Sequence, residues 1–389
     1  MNFDSDPRAT LNALLNRTLE MGASDLHLRV DSAPQVRVHG HLIVLDDYPV
    51  LTPDDARSII YSALTDSQIK RFEEKHELDL SLGLDRRARF RVNVFSQKET
   101  VGGSFRAIPY IVESFEDLGL PPVVADLCRK PRGLVLVTGP TGSGKSTTLA
   151  AMIDRINITR RDHIVTIEDP IEFLHTHKNC IVTQRELGPD TDSFGDALRA
   201  VLRQDPDVVL IGEMRDVETI EMALRVAETG HLTLATLHTN TASSTINRII
   251  DVFPAGQQDQ IRTQLSMVLE GIMCQALLPN ASGNGRVMAL EVLIPNSAVR
   301  NLIREDKIHQ IYSMMQTGAD RYGMQTLNQS LAALFQKRAV TMETAMSVSS
   351  NVDELKDLIG RRNGSTNPAV GAAAPRFQGS INQAAPRKV

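Results

Sequence analysis

The sequence predicts an α/β protein with two folded parts, a small α+β domain over residues 1–111 and a larger domain over residues 131–362. Strands of the first part alternate polar and apolar residues, which is typical of a sheet with one solvated face. Strands of the second part are short continuous apolar runs between helical stretches, which is typical of a parallel sheet wrapped by helices. A chain of 389 residues has room for two or three domains.

The first domain opens with a helix and continues with strands. Leucines at helical spacing predict the helix, and Gly22 suits its end; they are Leu11, Leu14, Leu15 and Leu19. Strands are predicted over residues 24–30 and 35–45, the second folded at His39-Gly40. A helix is predicted over residues 53–75.

Arginines alternate with apolar residues on the later strands of this domain. In ARFRVNVF, Phe90, Val92 and Val94 share one face, whereas Arg91 lies on the other. Arg106 lies on the next predicted strand. Two interpretations remain open: a solvated sheet face, or arginines that reach a phosphate group from another domain or subunit.

The second domain follows a linker, residues 112–130, that is marked by Pro121-Pro122. Its predicted strands are GLVLVTG, HIVTIED, DVVLIGE and HLTLATLH. After about Pro254 the chain is predicted to be all helical. Residues 363–389 are rich in Gly, Ala, Pro and Asn, and we expect them to form a disordered tail.

Composition narrows the class of protein. The net charge of −5 and the absence of Trp disfavour a surface that binds nucleic acid directly. Three cysteines far apart in sequence predict neither a disulfide framework nor a cysteine zinc site. The sequence shows no signal peptide and no apolar run near the roughly 18–20 residues that span a bilayer. We therefore expect a cytoplasmic protein that reaches the membrane only through a partner.

The segment GPTGSGKST has the pattern of a phosphate-binding loop. It follows an apolar run and leads into a predicted helix, the context that this motif requires. Lys145 is expected to reach the outer phosphates of ATP, and Ser146 to ligate Mg²⁺. The loop residues predicted to bind nucleotide are Gly139, Pro140, Thr141, Gly142, Ser143, Gly144, Lys145, Ser146 and Thr147.

Acidic residues follow two other predicted strands. TIEDPIEF places Glu168, Asp169 and Glu172 where open α/β sheets bind ligands, so they could hold Mg²⁺, polarise water or form a solvated turn. In DVVLIGE, Glu213 ends a buried strand and is expected to face Mg²⁺ directly or through water.

Two histidines lie at the two ends of HLTLATLH. His231 precedes the strand and His238 ends it. Metal ligation is disfavoured because no third ligand lies nearby in sequence. A structural histidine and a hydrogen-bonding sensor of the γ-phosphate both remain open for His238.

Eight segments in this order resemble the PilT-type retraction ATPases of type IV pili, within the secretion ATPase superfamily. The resemblance covers about residues 7–355. The segments are GASDLHLRV, ARFRVN, GPTGSGKSTTLAAM, TIEDPIEF, DPDVVLIGEMRD, AETGHLTLATLHTN, AVRNLIRED and GMQTLNQSL.

The resemblance implies a fold, an assembly and a set of roles. It implies a PAS-like N-terminal domain, a RecA-like ATPase domain with a helical C-terminal part, and a homohexamer that acts on an inner-membrane pilus platform protein. It implies that Glu172 activates water and that Glu213 is an atypical Walker B glutamate. Further residues implied to lie near the nucleotide are Arg91, Arg106, Arg132, His231 and His238. It ties AVRNLIRE (Ala298 to Glu305) to retraction rather than to nucleotide binding.

Four alternatives stay open. VTQRELGPDTDSF resembles the accessory retraction paralogue, usually called PilU, whereas AVRNLIRE argues for the main retraction motor. A pilus-extension or type II secretion ATPase usually has a longer N-terminal region and a four-cysteine zinc element, which this sequence lacks. A nucleic-acid translocase would show DNA-stimulated hydrolysis. A nucleotide-gated adaptor would bind ATP without turnover.

Overall fold

The fold is mixed α/β, and the described residues form two sheets. A computed structural model describes residues 5–38, 40–84, 88–108, 112–283 and 285–363. The predicted disordered tail lies outside the described residues except for Asn363, as do His39 of the predicted turn and the end of the first domain at residues 109–111.

The first sheet is antiparallel and has the order β3-β2-β1-β6-β5-β4. Its strands are β1 (Asp25–Leu28), β2 (Gln35–Val38), β3 (His41–Val44), β4 (Glu77–Leu84), β5 (Ala88–Gln97) and β6 (Thr100–Ile108). Its helices are α1 (Pro7–Glu20), α2 (Pro53–Tyr61) and α3 (Asp66–Lys75). The predicted alternation on β5 is confirmed, because Phe90, Val92 and Val94 are fully buried while Arg91 is exposed.

The single helix predicted over residues 53–75 is wrong, because the segment forms α2 and α3. Thr65 starts the second helix with a capping box: its hydroxyl accepts from Gln68 N, and the Gln68 side chain accepts from Thr65 N. This reciprocal pair satisfies two backbone donors and so favours a new helix start over a continuous helix.

The second sheet has the order β13-β12-β7-β11-β10-β8-β9, with β12 to β9 parallel and β13 antiparallel. Its strands are β7 (Gly133–Thr138), β8 (His163–Glu168), β9 (Ile181–Glu186), β10 (Val208–Ile211), β11 (Leu232–Leu237), β12 (Leu269–Pro279) and β13 (Arg286–Leu293). Every residue of β7, β10 and β11 is buried, which confirms the interpretation of the apolar runs.

Helices cover this sheet and extend beyond it. They are α4 (Phe115–Leu118), α5 (Pro122–Cys128), α6 (Lys145–Thr159), α7 (Phe194–Val201), α8 (Val217–Glu228), α9 (Ala242–Asp251), α10 (Ala255–Val268), α11 (Ser297–Arg304), a 3₁₀ turn (Ile308–Gln310), α12 (Ile311–Thr317), α13 (Ala319–Tyr322), α14 (Leu327–Gln336), α15 (Met342–Val348) and α16 (Val352–Asn363). The predicted linker thus contains α4 and α5, whose Val124 and Leu127 are buried in the core beside β7.

The prediction that the chain is all helical after Pro254 is wrong, because β12 and β13 lie there. The β12 segment is rich in Leu, Met, Gln and Ala, which favour helices when exposed. Here Ile272, Met273 and Cys274 are buried beside β7, and tertiary burial overrides helix propensity.

Two further sequence predictions concern cysteines and membranes. Cys128, Cys180 and Cys274 are free and buried, so the structure contains no disulfide among them. Over the described ranges, none of the helices combines the length and apolarity needed to cross a bilayer.

Candidate active site

A cavity of about 800 Å³ lies at the edge of the second sheet where its parallel strands end. Because parallel strands bring their carboxyl ends to one edge, the segments after β7, β8, β10 and β11 meet there. The first domain contributes Arg91 from β5. Predicted site residues that line the cavity are Arg91, Thr141, Gly142, Gly144, Lys145, Ser146, Thr147, Glu172, Glu213 and His238.

The phosphate-binding loop connects β7 to α6. Gly139 has φ 140°, and a Cβ there would lie 2.4 Å from the Gln275 carbonyl oxygen, so no side chain fits. Gly144 has φ 88° and caps the N-terminus of α6, whose dipole and free N–H groups favour an anion. Lys145 Nζ donates to the carbonyls of Gly139 (2.9 Å) and Pro140 (3.1 Å), and burial lowers its pKa while Glu213 opposes that shift.

Glu213 lies just past β10, between two donors. His238 Nε2 donates to Glu213 Oε1 (2.9 Å), and Arg215 Nε donates to Glu213 Oε2 (2.8 Å). The His238 side chain is 47% exposed and the Glu213 side chain 23%. The carboxylate is therefore held in one orientation at the cavity wall, with a histidine that bridges it to the end of β11.

Two glutamates line the cavity at the end of β8, Glu168 as the last residue of the strand and Glu172 four residues later. Glu168 is buried. Its Oε1 accepts from Thr166 Oγ1 (2.7 Å) and Gln184 Nε2 (3.2 Å), and its Oε2 accepts from the backbone N–H of Glu172 (3.5 Å). Glu172 is only partly buried. Burial raises the pKa of both carboxyls, and Arg91 opposes the shift at Glu172. A carboxylate whose pKa is raised at a cavity wall suits proton abstraction from water.

Of the two arginines predicted in the first domain, Arg91 lines the cavity together with Glu172, whereas Arg106 is not among the lining residues. Arg91 and Arg106 are paired across β5 and β6, and both lower the pKa of Glu172 by their charge. Arg106 Nε also donates to Asp25 Oδ1 (2.9 Å). Arg89, two residues before Arg91, forms an ion pair with Glu186 of the second domain (3.0 Å). The two domains are thus joined beside the cavity.

Arg132 and His231 lie at the opposite edge of the sheet. They precede β7 and β11, and the strand between Gly133 and Thr138 is about 16 Å long. Neither residue is among those that line the cavity. His231 Nδ1 lies 3.0 Å from the Val226 carbonyl oxygen at the end of α8. They are therefore not brought to this cavity, and their role near the nucleotide stays a prediction.

The motif order and this geometry agree with a match to a protein family. The sequence model of the family described as type II/IV secretion system protein matches residues 5–348. The chain belongs to this family.

Individual family members add detail to the assignment. The chain is 49% identical to the type IV pilus retraction ATPase PilT of Pseudomonas aeruginosa, over 86% of this chain and 96% of that protein. It is 40% identical to the type IV pilus ATPase PilU of the same organism, over 89% and 90%. It matches the crystal structure of the pilus retraction motor PilT with bound ADP at a TM-score of 0.84 and 51% identity, covering 89% and 98%. The resemblance to PilT-type ATPases predicted from the sequence is confirmed.

Several cavity residues of this family member were missed by sequence reasoning. Leu277 and Arg286 line the cavity from β12 and β13, where helices were expected. Once a hairpin is placed beside β7, its residues become neighbours of the phosphate loop, so correct strand assignment would have found them. Arg215 follows Glu213 within GEMRD, and only the fold shows that it turns back onto that carboxylate.

Proposed function

We propose that this chain hydrolyses ATP to power retraction of type IV pili, working as a homohexamer on an inner-membrane pilus platform protein from the cytoplasmic side. The observation that carries the proposal is the convergence on one cavity of the phosphate loop, Glu172, Glu213 and an arginine from the other domain. The 49% identity to a pilus retraction ATPase supports this choice over other ATP-driven motors. The higher identity to PilT than to PilU favours the main motor over the accessory one.

The residues present suit Mg²⁺ bound together with ATP. Ser146 is exposed to the cavity and offers a hydroxyl, and Glu213 offers a carboxylate close by. Across the described residues, no group of three or more His, Cys, Asp or Glu would hold a metal unaided, so the phosphates would complete the ligand set. When bound, Mg²⁺ neutralises charge on the β- and γ-phosphates.

The protein groups then have distinct tasks in hydrolysis. Lys145 and the loop N–H groups hold the phosphates. Glu172 orients a water and takes its proton while the water oxygen bonds to the γ-phosphorus and the bond to the β–γ bridging oxygen breaks. Arg91 and Arg106 stabilise the negative charge that develops on the transferring group. His238 keeps Glu213 oriented and senses whether the γ-phosphate is present.

Domain closure would convert this chemistry into movement. The first domain, which we assign a PAS-like fold, contributes Arg91 to a cavity built mainly by the second, RecA-like domain. Nucleotide binding that draws these arginines inward closes the cavity, and product release opens it, which is a hinge motion.

The decisive experiment replaces Lys145 with Ala in the native host and scores surface pili and movement. Abundant pili that do not retract are expected. Cells without surface pili would instead indicate a pilus-extension ATPase. Unchanged pili and unchanged motility would indicate the accessory motor or a role outside pilus biology. With purified protein, ATP binding without turnover would indicate an adaptor, and DNA-stimulated turnover would indicate a translocase.

A further inference from the structure

Glu291 is a buried carboxylate of β13 that lies outside the nucleotide cavity. The residue is 3% exposed, and it is not among those that line the cavity. Burial raises the pKa of its carboxyl group, while hydrogen bonds from the backbone N–H groups of Ala242 and Leu327 oppose that shift. Burying a carboxylate is costly unless its oxygens are hydrogen-bonded, so these two donors explain how the group is kept at this place.

Both donors belong to the first residue of a helix. Ala242 begins α9 and Leu327 begins α14, and Ala242 N donates to Glu291 Oε1 over 2.7 Å. The first N–H groups of a helix have no partner within it, and the helix dipole favours a negative charge there. Glu291 therefore fixes the start of α9, and that of α14, to the strand β13.

Strand pairing places Glu291 at the edge of the sheet that carries the cavity. Leu237 of β11 pairs with Thr138 of β7, which pairs with Cys274 of β12. Cys274 in turn pairs with Glu291. Glu291 thus lies in the same row of the sheet as the residues that directly precede the phosphate loop and His238.

Residues 238–241 form the whole connection between β11 and α9, and they include His238. The hydroxyls of Thr239 and Thr245 are 2.6 Å apart and share a hydrogen bond, which ties this connection to the first turn of α9. His238 Nε2 donates to Glu213 Oε1 (2.9 Å) at the cavity wall. A displacement of the start of α9 would therefore move His238 relative to Glu213 and to a bound γ-phosphate.

We propose that Glu291 is a positioning residue for His238, because it holds the start of α9 and so fixes the connection that carries this histidine to the cavity. The inference rests on the proposed role of His238 as a sensor of the γ-phosphate. Glu291 does not line the cavity, so its effect is transmitted through α9. The phosphate loop is anchored separately between β7 and α6 and should keep its geometry when Glu291 is changed.

The test is Glu291→Gln in the full chain, with affinities measured for ADP and for a non-hydrolysable ATP analogue. The amide keeps the size of the side chain but turns a donor toward one of the two backbone N–H groups, so it no longer holds both helices. ADP affinity should stay at its wild-type value because the phosphate loop is unchanged. The affinity for the ATP analogue relative to ADP should fall about fivefold, the size expected for one hydrogen bond. The kcat for ATP should fall about tenfold because a sensing group is misplaced.

Two further variants separate positioning from stability. Thr239→Val removes the hydrogen bond between the connection and α9 at a partly buried side chain, and it should reproduce the fall in the affinity ratio. Thr341→Val removes the side-chain cap of α15, where the Thr341 hydroxyl accepts from Thr344 N (3.1 Å). This control should lower the urea midpoint and leave the affinity ratio and kcat unchanged.

A double variant with His238→Ala decides whether Glu291 acts through this histidine. His238→Ala alone should lower the affinity ratio at least as far as Glu291→Gln does. Adding Glu291→Gln should then change the ratio no further, because residues that act as one unit are not additive. A full additional fall would overturn the inference.

Three other results would also overturn it. One is a wild-type affinity ratio in Glu291→Gln. Another is an equal weakening of ADP and ATP-analogue binding, which would make Glu291 merely structural. The third, which decides the question if Glu291→Gln does not fold, is a wild-type ratio in Thr239→Val. Absence of ATP turnover in the wild-type protein would instead contradict the proposed function, and the affinity ratio would still decide the role of Glu291.

Discussion

Replacing Glu172 with Gln tests the water-activating residue. The change keeps the shape of the side chain and removes its ability to take a proton. Arg91 and Arg106 keep their places on β5 and β6, and the phosphate loop is untouched. ATP binding should therefore persist, and it should tighten slightly because one negative charge near the phosphates is lost.

The size of the effect depends on whether another carboxylate can substitute. A general base typically contributes about 10²–10⁴-fold, or about 2.7–5.5 kcal/mol at 1.36 kcal/mol per factor of ten. Glu168 is buried and bonded to Thr166 and Gln184, while Glu213 is held by His238 and Arg215. Since neither is free to replace Glu172, we expect a loss of about 10³-fold in kcat, or about 4 kcal/mol.

The assay is steady-state phosphate release, together with equilibrium binding of a fluorescent ATP analogue. Glu221→Gln on the exposed face of α8 is the matched control, and its kcat should equal that of the wild type. A Glu172→Gln enzyme whose kcat stays within about threefold would refute the assignment. Loss of ATP binding in that variant would instead show that Glu172 holds the nucleotide.

Three further predictions use the pKa, the interdomain ion pair and the core. Burial raises the pKa of Glu172 and the charge of Arg91 lowers it, so Arg91→Ala should raise the pKa of Glu172 further. Because hydrolysis needs the ionised carboxylate, the acid limb of the plot of kcat against pH should move to higher pH. A move to lower pH would contradict this prediction. Glu186→Gln leaves Arg89 without its carboxylate and should lower the free energy of unfolding in urea by about 1–3 kcal/mol, less than for a fully buried pair because the Arg89 side chain is 22% exposed. An unchanged urea midpoint would mean that the Arg89–Glu186 ion pair does not stabilise the fold. Ile303→Ala should cost about 2–5 kcal/mol in the same measurement, since the side chain is fully buried, and a loss below about 1 kcal/mol would mean that α11 packs loosely.

Sequence reasoning located the cavity residues that lie in short segments directly after buried strands. Lys145, Glu172, Glu213 and His238 follow β7, β8, β10 and β11, and the geometry of a parallel sheet brings such positions to one edge. This inference needs only the order of the strands along the chain. It succeeded because short continuous runs of apolar, β-branched residues predict strands that are buried on both faces rather than helices.

Residues whose place depends on tertiary contacts were harder to predict. The β12 segment has the composition of a helix, and only burial against β7 makes it a strand, so Leu277 and Arg286 were missed. Arg132 and His231 directly precede β7 and β11, so the same geometry of a parallel sheet places them at the other edge; their assignment to the nucleotide came from the family resemblance and not from strand order. The partner of Arg89 lies 97 positions along the chain, beyond the reach of any local pattern.

The ion pair between Arg89 and Glu186 links the position of the first domain to ATP hydrolysis. Glu186 Oε2 also accepts from the backbone N–H of Ile171 (3.3 Å), the residue before Glu172. If the first domain moved away, Arg91 would leave the cavity and Glu186 would lose its ion pair with Arg89. The same movement would therefore loosen the backbone at Ile171 that orients Glu172. A chain whose first domain has moved away therefore lacks Arg91 at the cavity and a firmly oriented Glu172, and we expect it to hydrolyse ATP slowly until the domain returns.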